Sequence, residues 1–234
     1  MKILGVITAR GGSKGLHRKN VRPMLGVPLI EYTINAAIEV KSLFQRIIVS
    51  TDDIEIANVA RNAGADVPFL RPEKLATDSA SSVSVVKHAL EFLEKEGEED
   101  IDWVLILQPT SPLRNSRDIE SIISLAKSAD CDSVVSVWSV NKYHPMKMKT
   151  ITDEGYITPY IVDAREPNRR QELSPSVFLR NGALYLVRKE NVMSGDLYGE
   201  RILPYEMPPE RSIDIDDEFD FMLAENLMRC RQLD

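Results

Sequence analysis

Short apolar runs rich in valine and isoleucine recur along the chain, at Ile3–Thr8, Arg46–Thr51, Trp103–Gln108, Ser133–Trp138 and Ala183–Val187. Their hydrophobicity is continuous rather than alternating, which predicts central strands buried on both faces. Between them the apolar positions take helical spacing. Leu29, Tyr32, Ala36 and Val40 share one face, as do Val86, Ala89, Leu90 and Leu93, and again Ile119, Ile122, Ile123 and Ala126. Alternating strand and helix predicts an α/β fold: a Rossmann-like, mostly parallel sheet flanked by helices, in one domain over 1–234. Ligands of such sheets bind at the carboxyl ends of the strands. The alternation breaks at 141–175, where turn residues and short alternating pieces predict a β-rich insert, its exposed Met, Tyr and Ile suited to a dimer contact. An amphipathic helix carrying Phe219, Met222, Leu223 and Leu227 is expected to close the chain.

Composition narrows the classes. A hydrophobic share of 43% and a charged share of 28% exclude disorder. A net charge of −7 argues against nucleic-acid binding by broad attraction, yet leaves room for a small anionic ligand in one basic pocket. Two cysteines, Cys131 and Cys230, are too few for a disulfide framework or a zinc site. They read as free thiols in a reducing compartment. The first apolar run is too short for a membrane span or a signal segment and is closed by Arg10, so a cytoplasmic protein without membrane contact is expected.

Against that acidic background, "ITARGGSKGLHRKN" (residues 7–20) places three glycines and a cluster of bases directly after the first strand. Glycines let the backbone approach a phosphate, successive N–H groups form an anion-binding nest, and Arg10, Lys14 and Lys19 add charge. The spacing fits neither a Walker A loop nor G-x-G-x-x-G. The bland alternative is a solvated basic turn. As an exposed loop residue, Lys19 is expected to contribute little to stability.

"SIDIDDEFD" is the acidic counterpart. In an extended segment Asp214 and Asp216 face the same way while Ile213 and Ile215 turn to the core, so the two carboxylates suit one hard cation. Equally, Asp216 or Asp217 can cap the last helix. "LRPEKLATDSASS" reads locally as a strand end, a turn and a serine-capped helix. "LQPTSPLR" puts Gln108 at a strand's carboxyl end, where it can donate to and accept from a polyhydroxylated sugar, with Ser111 and Arg114 finishing the pocket. Alternatively Pro109 and Pro112 only shape a loop and Ser116 caps the next helix. Arg169 and Arg170 form a pair that would ordinarily be solvated. His17, His88 and His144 make no triad or metal set, and His88 reads as structural.

Taken together and in order, "ARGGSKGLHRKN", "LRPEKLATDSASS", "LQPTSPLR", "RRQEL", "RNGALY" and "SIDIDDEFD" resemble the motifs of the CMP-sialic acid synthetases, or acylneuraminate cytidylyltransferases, over essentially the whole chain. The related Kdo cytidylyltransferases open with a different loop, A-R-x-x-S-x-R-L-P. The resemblance implies transfer of CMP from CTP to the anomeric hydroxyl of N-acetylneuraminic acid or a related nonulosonic acid, with release of pyrophosphate, Mg²⁺ as cofactor and a homodimer. It implies that Arg71, the backbone around Ala80, and Ser82 contact the cytosine, that Asn20 orients the nucleotide, and that Lys19 and Arg170 are catalytic. Asn181 is the matching polar residue downstream, and the metal reading of Asp214 and Asp216 is strengthened. CMP-legionaminic or CMP-pseudaminic acid synthesis is the same-class alternative. A non-catalytic module binding CTP or a CMP-sugar is the other, disfavoured because Lys14, Lys19, Asp214 and Asp216 are all present. No residue stands out as general base.

Overall fold

The computed structural model describes residues 1–97, 100–162, 167 and 169–231. The chain runs β1 (Ile3–Thr8), a small hairpin of β2 (Pro23–Met24) and β3 (Val27–Pro28), α1 (Leu29–Ile38), β4 (Arg46–Ser50), α2 (Ile54–Asn62) and α3 (Ser82–Lys95). It continues with β5 (Trp103–Leu107), α4 (Ser116–Ser128), β6 (Ser133–Ser139), β7 (Lys149–Ile151) and β8 (Ile157–Pro159). Then follow β9 (Phe178–Arg188), α5 (Lys189–Ser194), β10 (Ile202–Glu206) and α6 (Glu218–Arg231). Six strands form one sheet in the order β10-β6-β9-β5-β1-β4. β1 is parallel to β4 and β5, and β10 to β6, whereas β9 is antiparallel to both its neighbours. The reversal has a simple cause. The excursion after β6 leaves and returns at the same end of the sheet, so the returning strand must run the other way.

The apolar runs work as two-sided strands. Ile3 and Ile7 of β1 and Leu105 and Leu107 of β5 point into a core with Ile30, Ile34, Ile56, Ile119 and Ile122, contributed by α1, α2 and α4. The intervening Leu4, Val6, Val104 and Ile106 meet Val86, Leu90, Leu93 and Val192 of α3 and α5 on the other face. Helices on both faces are what a sheet of this kind requires to bury its strands.

Local signals fix the helix starts. Asp53 caps α2 by accepting from the N–H groups of Glu55 and Ile56, and Ser81 caps α3 through Ser84 N–H. At α4 the cap is Asn115, paired reciprocally with Asp118, and not Ser116 as the sequence suggested. Asp118 accepts from its own cap, which only the residue three positions on can do. Asp217 accepts from Asp220 N–H at 3.0 Å, while the Asp220 carboxylate accepts from the N–H groups of Asp216 and Asp217. The cap of α6 is therefore Asp217, and Asp216 lies outside it.

One expectation changes. The face α6 buries is Phe221, Ala224 and Met228, packed on Leu16, Met24, Leu29 and Ile215, with Leu227 at its edge. Phe219, Met222 and Leu223 are exposed. Arg22 decides the register: it forms a bidentate ion pair with Glu218 at 2.6 Å and lies 4.4 Å over the Phe221 ring. Within 141–175 the described regular strands are only the antiparallel hairpin of β7 and β8, whose side chains are exposed throughout.

Candidate functional site

A cleft of about 380 Å³ opens at the carboxyl ends of β1 and β5. Its lining includes Arg10, Lys14, Lys19, Asn20, Arg71, Ala80, Ser82, Gln108 and Asp216, all expected from the sequence. The glycine-rich turn is built from the main chain outward. Gly11 N–H donates to Asp52 Oδ1 at 3.0 Å, and Asn20 donates its side-chain amide to the Arg10 carbonyl at 2.9 Å. Asn20 is buried, so what it orients directly is the loop. Arg18 adopts a left-handed backbone (φ 52°) immediately before Lys19, and its guanidinium pairs with Asp53 and Glu55 at the start of α2. Gly15 packs so tightly on the 213–217 segment that a Cβ there would run into the Asp216 carbonyl.

Lys19 is not an exposed loop lysine. Its side chain retains only 12% exposure and its ammonium donates to the Ile215 carbonyl at 2.5 Å, with Asp216 Oδ1 at 3.7 Å. Arg71 is buried at the back of the cleft. Its Nε and Nη2 donate to the hydroxyl and carbonyl of Ser50 at 3.1 and 2.5 Å, and burial lowers its guanidinium to about 10, still charged at neutral pH. At the mouth, Asp78 accepts from Arg10 Nη1 at 2.7 Å and Lys14 Nζ at 2.5 Å. These hydrogen bonds, Lys14's foremost, hold its carboxyl below the usual carboxylate range. Sequence reasoning passed over Asp78, although it stands inside a quoted motif. A carboxylate reads as unsuited to an anion site.

The two expected acids differ in setting. Asp214 Oδ1 is buried with no hydrogen-bond partner in the structure, and burial pushes its carboxyl up, with Asp216 adding to the push and Thr110 and Lys19 opposing it. Asp216 is exposed on the cleft wall. Segment 213–217 joins no ladder, being held by Ile215 N–H to the Thr110 carbonyl at 2.8 Å, so the strict two-residue alternation does not apply. Gly182 (φ +74°) passes close to both Asp214 and Gln108: a Cβ there would lie 2.8 Å from Asp214 Oδ2 and 3.3 Å from Gln108 Oε1.

Ser111, Arg114 and Asn181 lie one layer back. Arg114 is buried, donates to the carbonyls of Gln108 and Ala183 at 3.2 Å each, and is lowered to about 10 by burial. Ser111 Oγ lies 3.5 Å from the Asn181 carbonyl. The Asn181 amide accepts from Ser136 at 2.6 Å and donates to Ser212 at 2.9 Å. These three stand behind Gln108, and Asp214, like them, lies outside the cleft's lining. Arg170 begins a short 3₁₀ turn, and its side chain lies outside the described residues.

Among the described residues no group of three or more His, Cys, Asp or Glu forms a metal cage, and no helix is long and apolar enough to cross a membrane. A family model described as cytidylyltransferase matches residues 4–198. An N-acylneuraminate cytidylyltransferase of Escherichia coli is 36% identical over 95% of the chain and 51% of its own length, and one of Streptococcus agalactiae is 38% identical over 95% and 52%. The chain thus spans about half the length of these curated relatives. A CMP-N,N'-diacetyllegionaminic acid synthase of Legionella pneumophila is 36% identical over 99% of this chain and 98% of its own. In fold, the chain is similar to a CMP:2-keto-3-deoxy-manno-octonic acid synthetase solved with CTP (TM-score 0.71, 16% identity, 99% of this chain, 100% of that one).

Proposed function

The chain belongs to the cytidylyltransferase family, and from that premise we propose that it transfers CMP from CTP to the anomeric hydroxyl of a nonulosonic acid, N-acetylneuraminic acid or a relative, releasing pyrophosphate. The observation that carries this is the convergence of Arg10, Lys14, Lys19 and Arg71 on one cleft at the strand ends, in a protein of net charge −7. In-line attack at the α-phosphorus builds charge on the equatorial oxygens and the leaving pyrophosphate, and preorganised donors are what such a transition state needs. The glycine-loop N–H groups with Arg10, Lys14 and Lys19 supply them. Arg71, the Ala80 backbone and Ser82 read the base, Gln108 meets the acceptor sugar, and Ser111, Arg114 and Asn181 hold the acceptor side in place. Arg170 is assigned to the acceptor or leaving group.

Mg²⁺ fits the chemistry of the acidic pair: Asp214, with an unpartnered buried oxygen, and Asp216, with its carboxylate exposed on the cleft wall, are the residues that would hold the ion. When bound, it would supply further positive charge against the triphosphate. The exposed Ile151, Tyr156, Ile157, Tyr160 and Ile161 around the β7–β8 hairpin support 141–175 as a homodimer contact. The free thiols of Cys131 and Cys230 suit a cytoplasmic setting. The end-to-end match to the Legionella synthase supports legionaminic acid as the competing acceptor. Pyrophosphate release from CTP should be measured against N-acetylneuraminic, legionaminic and pseudaminic acids. Release with none of them, or equal release from UTP or ATP, overturns this reading.

A further inference from the structure

Four cations line the cleft, and they are held in two different ways. Lys19 is fixed by the Ile215 carbonyl and Arg71 by Ser50, so main chain and a buried hydroxyl set their positions. Arg10 and Lys14 are instead held by a side chain, the two oxygens of Asp78, one to each. Asp78 stands on a turn closed by Ala80 N–H to the Thr77 carbonyl and a Thr77–Ser79 hydroxyl contact, between the β4 side of the sheet and the start of α3. Its carboxylate therefore bridges the glycine loop to the opposite lip, with 44% of its side chain still in water.

We propose that Asp78 is a built-in competitor for the polyphosphate: with its two oxygens it takes one donor of Arg10 and one of Lys14 from which phosphate oxygens would otherwise accept. The inference deepens the nucleotidyl-transfer reading and rests on it. A ligand with several charges displaces one carboxylate readily, whereas a singly phosphorylated one gains less. After transfer, re-pairing of Asp78 with both cations offsets the cost of releasing pyrophosphate. A binding-competent state that is only partly populated weakens apparent affinity by that fraction, and a solvent-exposed ion pair is of the size to set that fraction at several-fold.

The test is calorimetric binding of inorganic tripolyphosphate and of pyrophosphate, at low ionic strength and without divalent metal, to the wild type, Asp78→Asn, Asp78→Ser and Glu73→Gln. Glu73 is an exposed carboxylate of the same segment that takes no part in the bridge, so it reports the effect of net charge alone. Tripolyphosphate should bind about three- to tenfold more tightly to both Asp78 variants, and less than about twofold more tightly to Glu73→Gln. Unchanged or weaker binding in the Asp78 variants overturns the proposal, as does equal tightening in all three or no binding to the wild type. Failure of the transfer reading would be seen separately, as absence of pyrophosphate release from CTP by the wild type while the tripolyphosphate contrast persists.

Discussion

Lys19 and Ile215 meet across 196 positions of sequence, the lysine ammonium donating to the isoleucine carbonyl at 2.5 Å. The bond ties the glycine loop to the acidic segment, so one side chain both charges the cleft and closes it. Lys19→Ala should therefore lower turnover by about a hundredfold or more, the loss of one charge contact to a developing oxyanion. It should also lower the melting temperature by a few degrees, because a hydrogen bond from a charged donor contributes about 1.5–3 kcal/mol. Initial rates and thermal melts check both. Wild-type turnover would place the cradle elsewhere.

The acidic run separates into a cap and a candidate metal pair. Asp217→Ala should destabilise by about 1 kcal/mol through loss of the α6 cap and leave the Mg²⁺ dependence alone. Asp214→Asn and Asp216→Asn should each lower activity and raise the Mg²⁺ concentration for half-maximal rate, with metal-free melting temperatures unchanged or higher. A Mg²⁺ titration of the three variants decides it, and unchanged metal dependence in both Asn variants removes the metal assignment.

Two glycines of the same loop should behave oppositely. A Cβ at Gly12 meets nothing within 4 Å, whereas one at Gly15 meets the main-chain carbonyl of Asp216, which cannot swing aside. Gly12→Ala should fold and melt like the wild type. Gly15→Ala should lose most activity, because the loop must withdraw from the 213–217 segment. Equal melting and equal rates for the two would mean the close approach is not needed.

Asp132 links β6 to β10. It accepts from Arg201 Nη2 at 2.9 Å and from the N–H groups of Arg201 and Glu200, and these bonds, the guanidinium's foremost, lower its carboxyl to about 2. A depressed carboxyl stabilises above the unfolded value of 3.8 and loses that contribution as pH falls toward 2. Asp132→Asn should therefore melt below the wild type at neutral pH, with the gap narrowing between about pH 4 and pH 2. A pH-independent gap would assign the effect to packing.

Much of the frame was legible because buried strands carry dense signals. β1, β4 and β5 lie within a residue of their apolar runs, and Val86, Leu90, Ile119 and Ile122 mark their helices correctly. α2 drew no expectation because two of its three buried positions are alanines, Ala57 and Ala60, which barely mark a face. β10 was hidden by Pro204 in an edge strand. α6 carries apolar residues on two faces, and only its docking on Arg22 and Met24 selects Phe221 over Phe219. Within the site, the cleft-lining residues were legible from their loops. The place of Arg114 and Asn181 behind Gln108, the buried state of Lys19 and the bridge made by Asp78 depend on partners far away in sequence, which no local pattern encodes.

β9 leads from the excursion that follows β6, with Phe178 paired to Ser139, to Asn181 and Gly182 beneath the cleft, and its pairing with β6 carries a bulge between the Arg180 and Tyr185 pairs. The bulge already holds the extra residues that set Asn181 on Ser136 and Ser212 and bring Gly182 against Asp214, so one more residue between Phe178 and Asn181 would move Asn181 off both partners and put a Cβ where Gly182 meets Asp214. The same residue added at the exposed Thr152–Tyr156 turn of the hairpin would disturb only a loop tip. Length variation in this protein is thus permitted at the far end of the excursion and forbidden at its root, and descendants or designs that lengthen the arm must do so from its tip.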